Sequence, residues 1–213
     1  MTLPITIAVP KGRVLKSLAK RFARAGVEPS VLLDDDRRLV RTSHDGSVRF
    51  LLLKPDDVPT YVEYGAADLG IVGRDILLER EYDLYVPLDL GIGRCKMSVC
   101  GLAGKPPSAD QLRPLRVATK FVNIATRYYR EQRRQVEVIY VGGSVELAPI
   151  TGLADVIVDL VETGETLRQN GLEVFEDVAD ISSVVIANVA AFKLAREPIR
   201  RLLAALAEDA PAG

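Results

Sequence analysis

The sequence predicts an α/β protein of two similar lobes, on three observations. Short apolar runs of strand length alternate with segments of helical periodicity along most of the chain, which implies parallel strands joined by crossover helices. A motif recurs: Gly65-Ala66-Ala67-Asp68 precedes the run LGIV, and Gly152-Leu153-Ala154-Asp155 precedes VIVD, so twice a helix ends in Gly and an Asp opens a buried strand. The length, 213 residues, suits one large or two small α/β domains. The lobes are expected at residues 1–92 plus 183–213 and at residues 93–182.

Residues 5–9 read as a strand, 10–13 as a basic turn, and 14–25 as a helix with Leu15, Leu18, Ala19 and Phe22 on its apolar face. Short β segments are expected near 30–33, 38–41 and 48–53. Asp57 is the expected N-cap of a helix that runs through Tyr64 and stops at Gly65. Strands at 69–72 and 84–88 flank a helix at 75–80, and 94–103 is β again. The loop GKPPSAD (104–110) then precedes a βαβ series: strand 115–119, helix 123–134, strand 136–141, helix 145–151 and strand 156–161. A final strand, 182–187, leads into one amphipathic helix, 190–207, and the tail after Glu208 is expected to be disordered.

The charge is balanced, 28 basic against 29 acidic residues with a net of −1, and no long basic tract favours nucleic acid. The opening LPITIAVPKG is interrupted by Pro and Lys, unlike a signal peptide, and no apolar run approaches the roughly 20 residues of a membrane span. The expectation is a cytoplasmic protein without membrane or nucleic-acid partners. Cys95 and Cys100 lie five apart on a strand, hence on opposite faces, and form neither a redox CxxC nor a zinc pair. His44, the only histidine, sits in the turn-forming cluster TSHDGS, which excludes His-based triads and multi-histidine metal sites.

The stretch DVIVDLVETGETLRQNG (155–171) carries the clearest chemistry. Its strand is apolar on both faces except at Asp159, whose carboxylate needs a partner or a position where the strand ends and a ligand enters. Thr163, Gly164, Glu165 and Thr166 follow, offering backbone N–H groups and two hydroxyls at the start of a helix near Leu167. Either threonine alone reads equally well as a helix cap. The solitary acid before the loop favours a sugar phosphate, with hydroxyls on the carboxylate and phosphate on the loop. Asp155 lies four residues earlier, roughly 13 Å along an extended strand, too far to share a hydroxyl pair with Asp159. Ligands bind beyond the carboxyl ends of strands in open α/β sheets, so Asp155 is read as a structural residue.

The chain resembles the short form of ATP phosphoribosyltransferase over nearly its whole length, on IAVPKGR (7–13), DVPTYVEYGAADLGIVGRDIL (57–77), LDLGIGRCKMSV (88–99) and GSVELAPITGLADVIVDLVETGETLRQNGL (143–172). The resemblance implies two α/β lobes around a cleft, similar to type II periplasmic binding proteins. It also implies transfer of the phosphoribosyl group of PRPP to N1 of ATP, the step that opens histidine biosynthesis. Mg²⁺ is implied, held mainly through substrate phosphates rather than protein ligands. By matching motif, Asp159 would hold the ribose hydroxyls and Thr163, Gly164, Glu165 and Thr166 the 5′-phosphate, Glu165 through its backbone N–H. Gly143, Ser144 and Glu146 would line the same pocket. Lys11, Arg13 and Lys54 are the expected catalytic cations for pyrophosphate or ATP phosphates. Lys54 departs from the family, which more often places Arg before this Pro, and loses the planar phosphate fork. Asp89, Gly91 and Arg94 are the expected ATP contacts. The chain ends without room for a C-terminal regulatory domain, so a homodimer within a larger hetero-oligomer is expected, with a regulatory subunit similar to histidyl-tRNA synthetase.

Two other readings share this fold. A non-catalytic solute-binding module of the periplasmic type would need an export signal or anchor, and an effector-sensing domain of a transcription regulator would need a helix-turn-helix. Neither accounts for a buried Asp followed by TGETL.

Overall fold

The computed structural model describes residues 4–107, 113–194 and 196–207. Residues 108–110 of the expected GKPPSAD loop and the tail beyond Ala207 lie outside the described residues. The chain divides into two compact units: residues 1–77, 81–93 and 182–213 form one, residues 78–80 and 94–181 the other. Both are α/β, as the alternation predicts.

In the first unit, β1 (Ile5–Pro10) lies between β3 (Val48–Leu53) and β4 (Leu69–Gly73) and is parallel to both. The short β2 (Val40–Thr42) extends the sheet antiparallel to β3, and residues 183–187 of β9 (Leu172–Ala187) run antiparallel to β4. The strand pleat sends Ile7, Val9, Leu69 and Ile71 to one face, where α1 (Leu15–Arg24) covers them with Leu18, Ala19 and Phe22. Phe22 meets Phe50 edge-on, with ring centroids 5.0 Å apart. The other face packs Ala8, Val72, Val184 and Ile186 against α3 (Val58–Glu63) through Val58 and Val62. Gly70 permits this approach, since a Cβ there would stand 2.6 Å from Val62 and 2.8 Å from Val58.

The second unit repeats the plan. Its central strand β6 (Leu115–Thr119) is parallel to both β7 (Val136–Tyr140) and β8 (Val156–Val161), while the second half of β5 (Tyr85–Leu102) pairs antiparallel with β8. The helix α5 (Val122–Glu131) has no cap from its own Phe121. Instead the Glu79 carboxylate accepts from the N–H groups of Asn123 at 2.9 Å and Ile124 at 3.0 Å.

The recurring motif has one structural meaning in both units. Asp68 donates its N–H to the Thr6 carbonyl at 2.8 Å, and its carboxylate accepts the Thr6 N–H at 2.7 Å. Asp155 does the same with Arg116, at 2.9 Å in each direction. Each Asp thus ties the start of one strand to the neighbouring parallel strand, and Gly65 and Gly152, at φ +74° and +76°, end the helix before it.

Several expectations need correction. Residues 30–33 form the short helix α2 (Ser30–Leu33), not a strand: Pro29 sets a helical φ, and the buried pair Val31 and Leu32 is consecutive rather than alternating. The segments 84–88 and 94–103 belong to the single strand β5. β9 begins at Leu172, ten residues before the expected start, in a stretch whose charged side chains conceal the strand pattern. The last helix is two, α8 (Val189–Leu194) and α9 (Arg196–Ala207), with Pro198 in the first turn of α9, where a missing N–H costs no bond. Asp57 makes no side-chain cap, because a 3-10 turn over 55–57 already leads into α3.

Candidate active site

Parallel strands end at one edge, and in the second unit β6, β7 and β8 present their carboxyl ends together. Asp159 stands two residues before the end of β8, half-buried, with its carboxylate accepting the Leu160 N–H at 2.8 Å. Burial is the main cause holding its pKa above the usual carboxylate range; the Leu160 N–H and the Lys120 ammonium oppose the rise, and the Glu146 carboxylate adds to it. A carboxylate this poor in local donors is suited to accept hydrogen bonds from a ligand's hydroxyls.

Beyond β8 the loop turns at Gly164, whose φ of +70° leads into α7 (Glu165–Gln169). Arg168 pins the loop by donating to the Thr163 carbonyl at 3.1 Å. The Glu165 carboxylate is turned back on its own helix, taking Arg168 at 2.7 Å and Gln169 at 2.9 Å, and Arg168 chiefly keeps its pKa low. Its carboxylate is thus engaged within α7. Thr163 and Thr166 are both exposed.

After β7, exposed Gly143 and Ser144 lead to α6 (Leu147–Thr151), with Glu146 immediately before it. Ser144 has φ +49°, a left-handed conformation that costs a non-glycine residue about 1 kcal/mol. The Glu146 charge adds to the rise in the Asp159 pKa. Asp155 stands at the opposite edge. Its carboxylate takes Arg113 at 2.8 and 2.6 Å besides the Arg116 N–H, and Arg113 is the main cause of its lowered pKa.

The first unit brings together Lys11 and Lys54. The register that pairs Pro10 with Leu53 makes them the first residues past adjacent parallel strands, and the Lys11 N–H donates to the Leu53 carbonyl at 2.9 Å. Arg13 follows one residue beyond Gly12, and all three cations are exposed. A cavity of about 480 Å³ is lined by Lys11 but by neither Arg13 nor Lys54; Lys16 and Arg41 face it together with Asp34, Asp35 and Asp36.

Asp89 and Gly91 lie on β5, and Arg94 is exposed on the same strand. Burial resists ionisation of Asp89. The Gly91 N–H at 2.8 Å, the Ser182 hydroxyl at 2.9 and 2.8 Å and Arg74 at 3.1 Å nonetheless bring its pKa below the usual range.

Cys95 and Cys100 occupy opposite faces of β5, Cys95 against the cluster of Met97 and Val99 and Cys100 against Ala118 and Ile157. Burial pushes the Cys100 thiol up to about 12. His44 is exposed, 3.6 Å from Glu28. Among the described residues no group of three His, Cys, Asp or Glu could hold a metal ion, and no helix is long and apolar enough to cross a membrane. Two residues beside Asp159 went unnoticed in the sequence, Lys120 and Ser98. A charge just past a buried strand was the criterion that selected Lys11 and Lys54, and it selects Lys120 in VATK as well.

A family model described as ATP phosphoribosyltransferase matches residues 54–208. The chain belongs to the ATP phosphoribosyltransferase family. It is 55% identical over 204 residues to an ATP phosphoribosyltransferase of Sorangium cellulosum, covering 95% of this chain and 94% of that one. To the enzyme of Pseudomonas aeruginosa it is 50% identical over 200 residues, 93% of each. Its fold matches a solved structure described as an ATP phosphoribosyl transferase (HisG:HisZ) complex from Thermotoga maritima, with TM-score 0.81, 34% identity and 96% coverage of both chains. As a member of the ATP phosphoribosyltransferase family the chain is a pentosyltransferase of histidine biosynthesis, joining the phosphoribosyl group of PRPP to N1 of ATP. The solute-binding alternative falls away with that membership.

Proposed function

We propose that PRPP sits at the carboxyl edge of β6, β7 and β8, with its 5′-phosphate on the loop Thr163, Gly164, Glu165 and Thr166 and its ribose hydroxyls on Asp159. One observation carries this reading: a half-buried carboxylate at a strand end, beside a loop that turns through a left-handed glycine. Gly143, Ser144 and Glu146 close the same pocket from β7. Lys11, Arg13 and Lys54 are the cations for pyrophosphate or ATP phosphates, and Asp89, Gly91 and Arg94 serve the adenine nucleotide. Because the Asp89 carboxylate is already engaged by Arg74 and Ser182, its part is to orient Arg74 and the Gly91 turn rather than to bind by itself.

The chemistry needs no side-chain nucleophile. Adenine N1 attacks C1′ of PRPP and pyrophosphate departs, so the protein aligns two substrates, stabilises the growing negative charge and excludes water. Asp159 fixes the ribose so that C1′ faces N1, and the loop anchors the far end. Mg²⁺ would be carried mainly by substrate oxygens, and among the described residues no group of three His, Cys, Asp or Glu could hold it. Bound in that way, Mg²⁺ neutralises charge on the leaving pyrophosphate. The solved relative is a two-component complex. This chain is taken to act as a homodimer within a larger hetero-oligomer, with a regulatory subunit similar to histidyl-tRNA synthetase, in the cytoplasm.

The test is incubation with ATP, PRPP and Mg²⁺, with and without that subunit, followed by assay for phosphoribosyl-ATP and calorimetry of PRPP binding. Product formation and PRPP binding lost in Asp159→Asn are expected. PRPP binding indifferent to both Asp159→Asn and Gly164→Ala would refute the placement.

A further inference from the structure

Asp159 has a neighbour on each side. On β8 it pairs with Ser98 of β5, a buried residue whose hydroxyl donates to Asp177 at 3.0 Å. On the other side, β6 pairs Ala118 with Ile157, and continuing that register by two residues puts Lys120 beside Asp159. The Lys120 charge indeed acts on the Asp159 carboxylate. Its ammonium lies over the Phe121 ring, with Nζ 4.5 Å from the centroid, while the residue stays exposed. The end of β6 is itself fixed: the Thr119 hydroxyl donates to the Val158 carbonyl at 2.6 Å and accepts the Phe121 N–H at 2.9 Å.

We infer that Lys120 is a further substrate-binding residue of this transferase, a cation that engages the pyrophosphate group of PRPP while Asp159 holds the ribose. The inference rests on the placement of PRPP given above. The loop after β8 meets one phosphate with backbone N–H groups and hydroxyls, none of them charged. The pyrophosphate at C1′ carries more negative charge, and the edge already holds Asp159 and Glu146, which repel it. A cation balances that charge, and the strand register brings Lys120 to this edge.

The internal repeat offers a looser parallel. β1 and β6 are the central parallel strands of the two units, and the first residue past each is a lysine, Lys11 and Lys120. Equating Thr6 with Arg116 through Asp68 and Asp155 aligns Lys120 with Pro10, one position before Lys11, so each unit has an exposed lysine just past its central strand but not in the same register.

The experiment compares Lys120→Met, Lys120→Arg, Asp159→Asn and wild type in the full enzyme, reading KM for each substrate, calorimetric PRPP affinity and product inhibition by inorganic pyrophosphate. Lys120→Met is expected to raise KM for PRPP about tenfold and weaken pyrophosphate inhibition similarly, as loss of one charge-assisted contact implies. KM for ATP should move by less than about threefold, and Lys120→Arg should recover most of the PRPP affinity. Unchanged PRPP affinity in Lys120→Met, with affinity lost in Asp159→Asn, would overturn the role of Lys120 and leave the PRPP placement standing. PRPP affinity unchanged in both would overturn the placement itself. A raised KM for PRPP with unaltered pyrophosphate inhibition would refute the pyrophosphate contact. Lys120→Gln serves the same comparison should Lys120→Met not fold.

Discussion

Asparagine in place of Asp159 should make the substrate-free protein more stable and the enzyme worse. Its pKa is raised by burial, so the linkage sign is clear: the favourable contribution of the protonated acid is present below the unfolded value of about 3.9 and lost as pH rises through the folded value. At neutral pH the ionised side chain therefore opposes folding, and the amide removes that cost while keeping an acceptor for the Leu160 N–H. For PRPP the balance reverses. Two ribose hydroxyls on a carboxylate are worth about 1.5–3 kcal/mol each, and an amide with one acceptor oxygen forfeits about 2–3 kcal/mol of the sum. That is about 30- to 150-fold in PRPP affinity. Asp155→Asn should behave oppositely. Its pKa is lowered, chiefly by Arg113, so it stabilises above about pH 3.9, and the effect disappears as pH falls through the folded value. Arg113 is half-exposed, which screens the pair, and the loss is about 1 kcal/mol, or 2–4 °C in Tm for a chain of this size. Scanning calorimetry and PRPP titration of both variants decide the matter. If both lowered Tm alike and weakened PRPP alike, the division between strand start and strand end would be wrong.

Glu165→Ala is expected to leave KM for PRPP within about threefold, because its carboxylate engages Arg168 and Gln169 rather than the pocket, and steady-state kinetics will show it. Gly70→Ala should cost about 1–3 kcal/mol in a urea titration, since its Cβ would meet Val62 at 2.6 Å and Val58 at 2.8 Å. Cys100, buried with its thiol pushed up to about 12, should resist an aromatic disulfide reagent at pH 8 until the protein is denatured. Rapid labelling of Cys100 in the native protein would show that β5 opens there.

Buried strands announced themselves because their side chains are apolar at nearly every position: IAV, LLL, LGIV, VAT and VIV need no context to be read. The long strands did not. β9 passes through EVFEDVADISS, where exposed Glu173, Asp177 and Asp180 interrupt the apolar pattern, and pairing with distant residues rather than local preference keeps it extended. The run SVLL failed for the opposite reason. Four apolar-rich residues fit a strand or one helical turn equally, and Pro29 with the consecutive burial of Val31 and Leu32 decides for the helix. At the site, the loop residues and Asp159 were legible because an acid inside an apolar strand is costly and conspicuous. Lys120 was not, because a lysine at a strand end is ordinary until its neighbour across the register is known.

The repeat itself separates scaffold from chemistry. Asp68 and Asp155 occupy one position in the two units and make the same pair of backbone bonds, so what they share is the joining of parallel strands. Four residues further on the units diverge: the first has Val72, fully buried in an apolar cluster, and the second has Asp159. A valine there satisfies everything the strand needs, so the carboxylate contributes nothing to the fold that its counterpart lacks, and its burial is a cost. Such a cost is sustained where a ligand completes the hydrogen bonding. The difference between the copies, more than the motif they share, is what favours Asp159 as the proposed ribose contact.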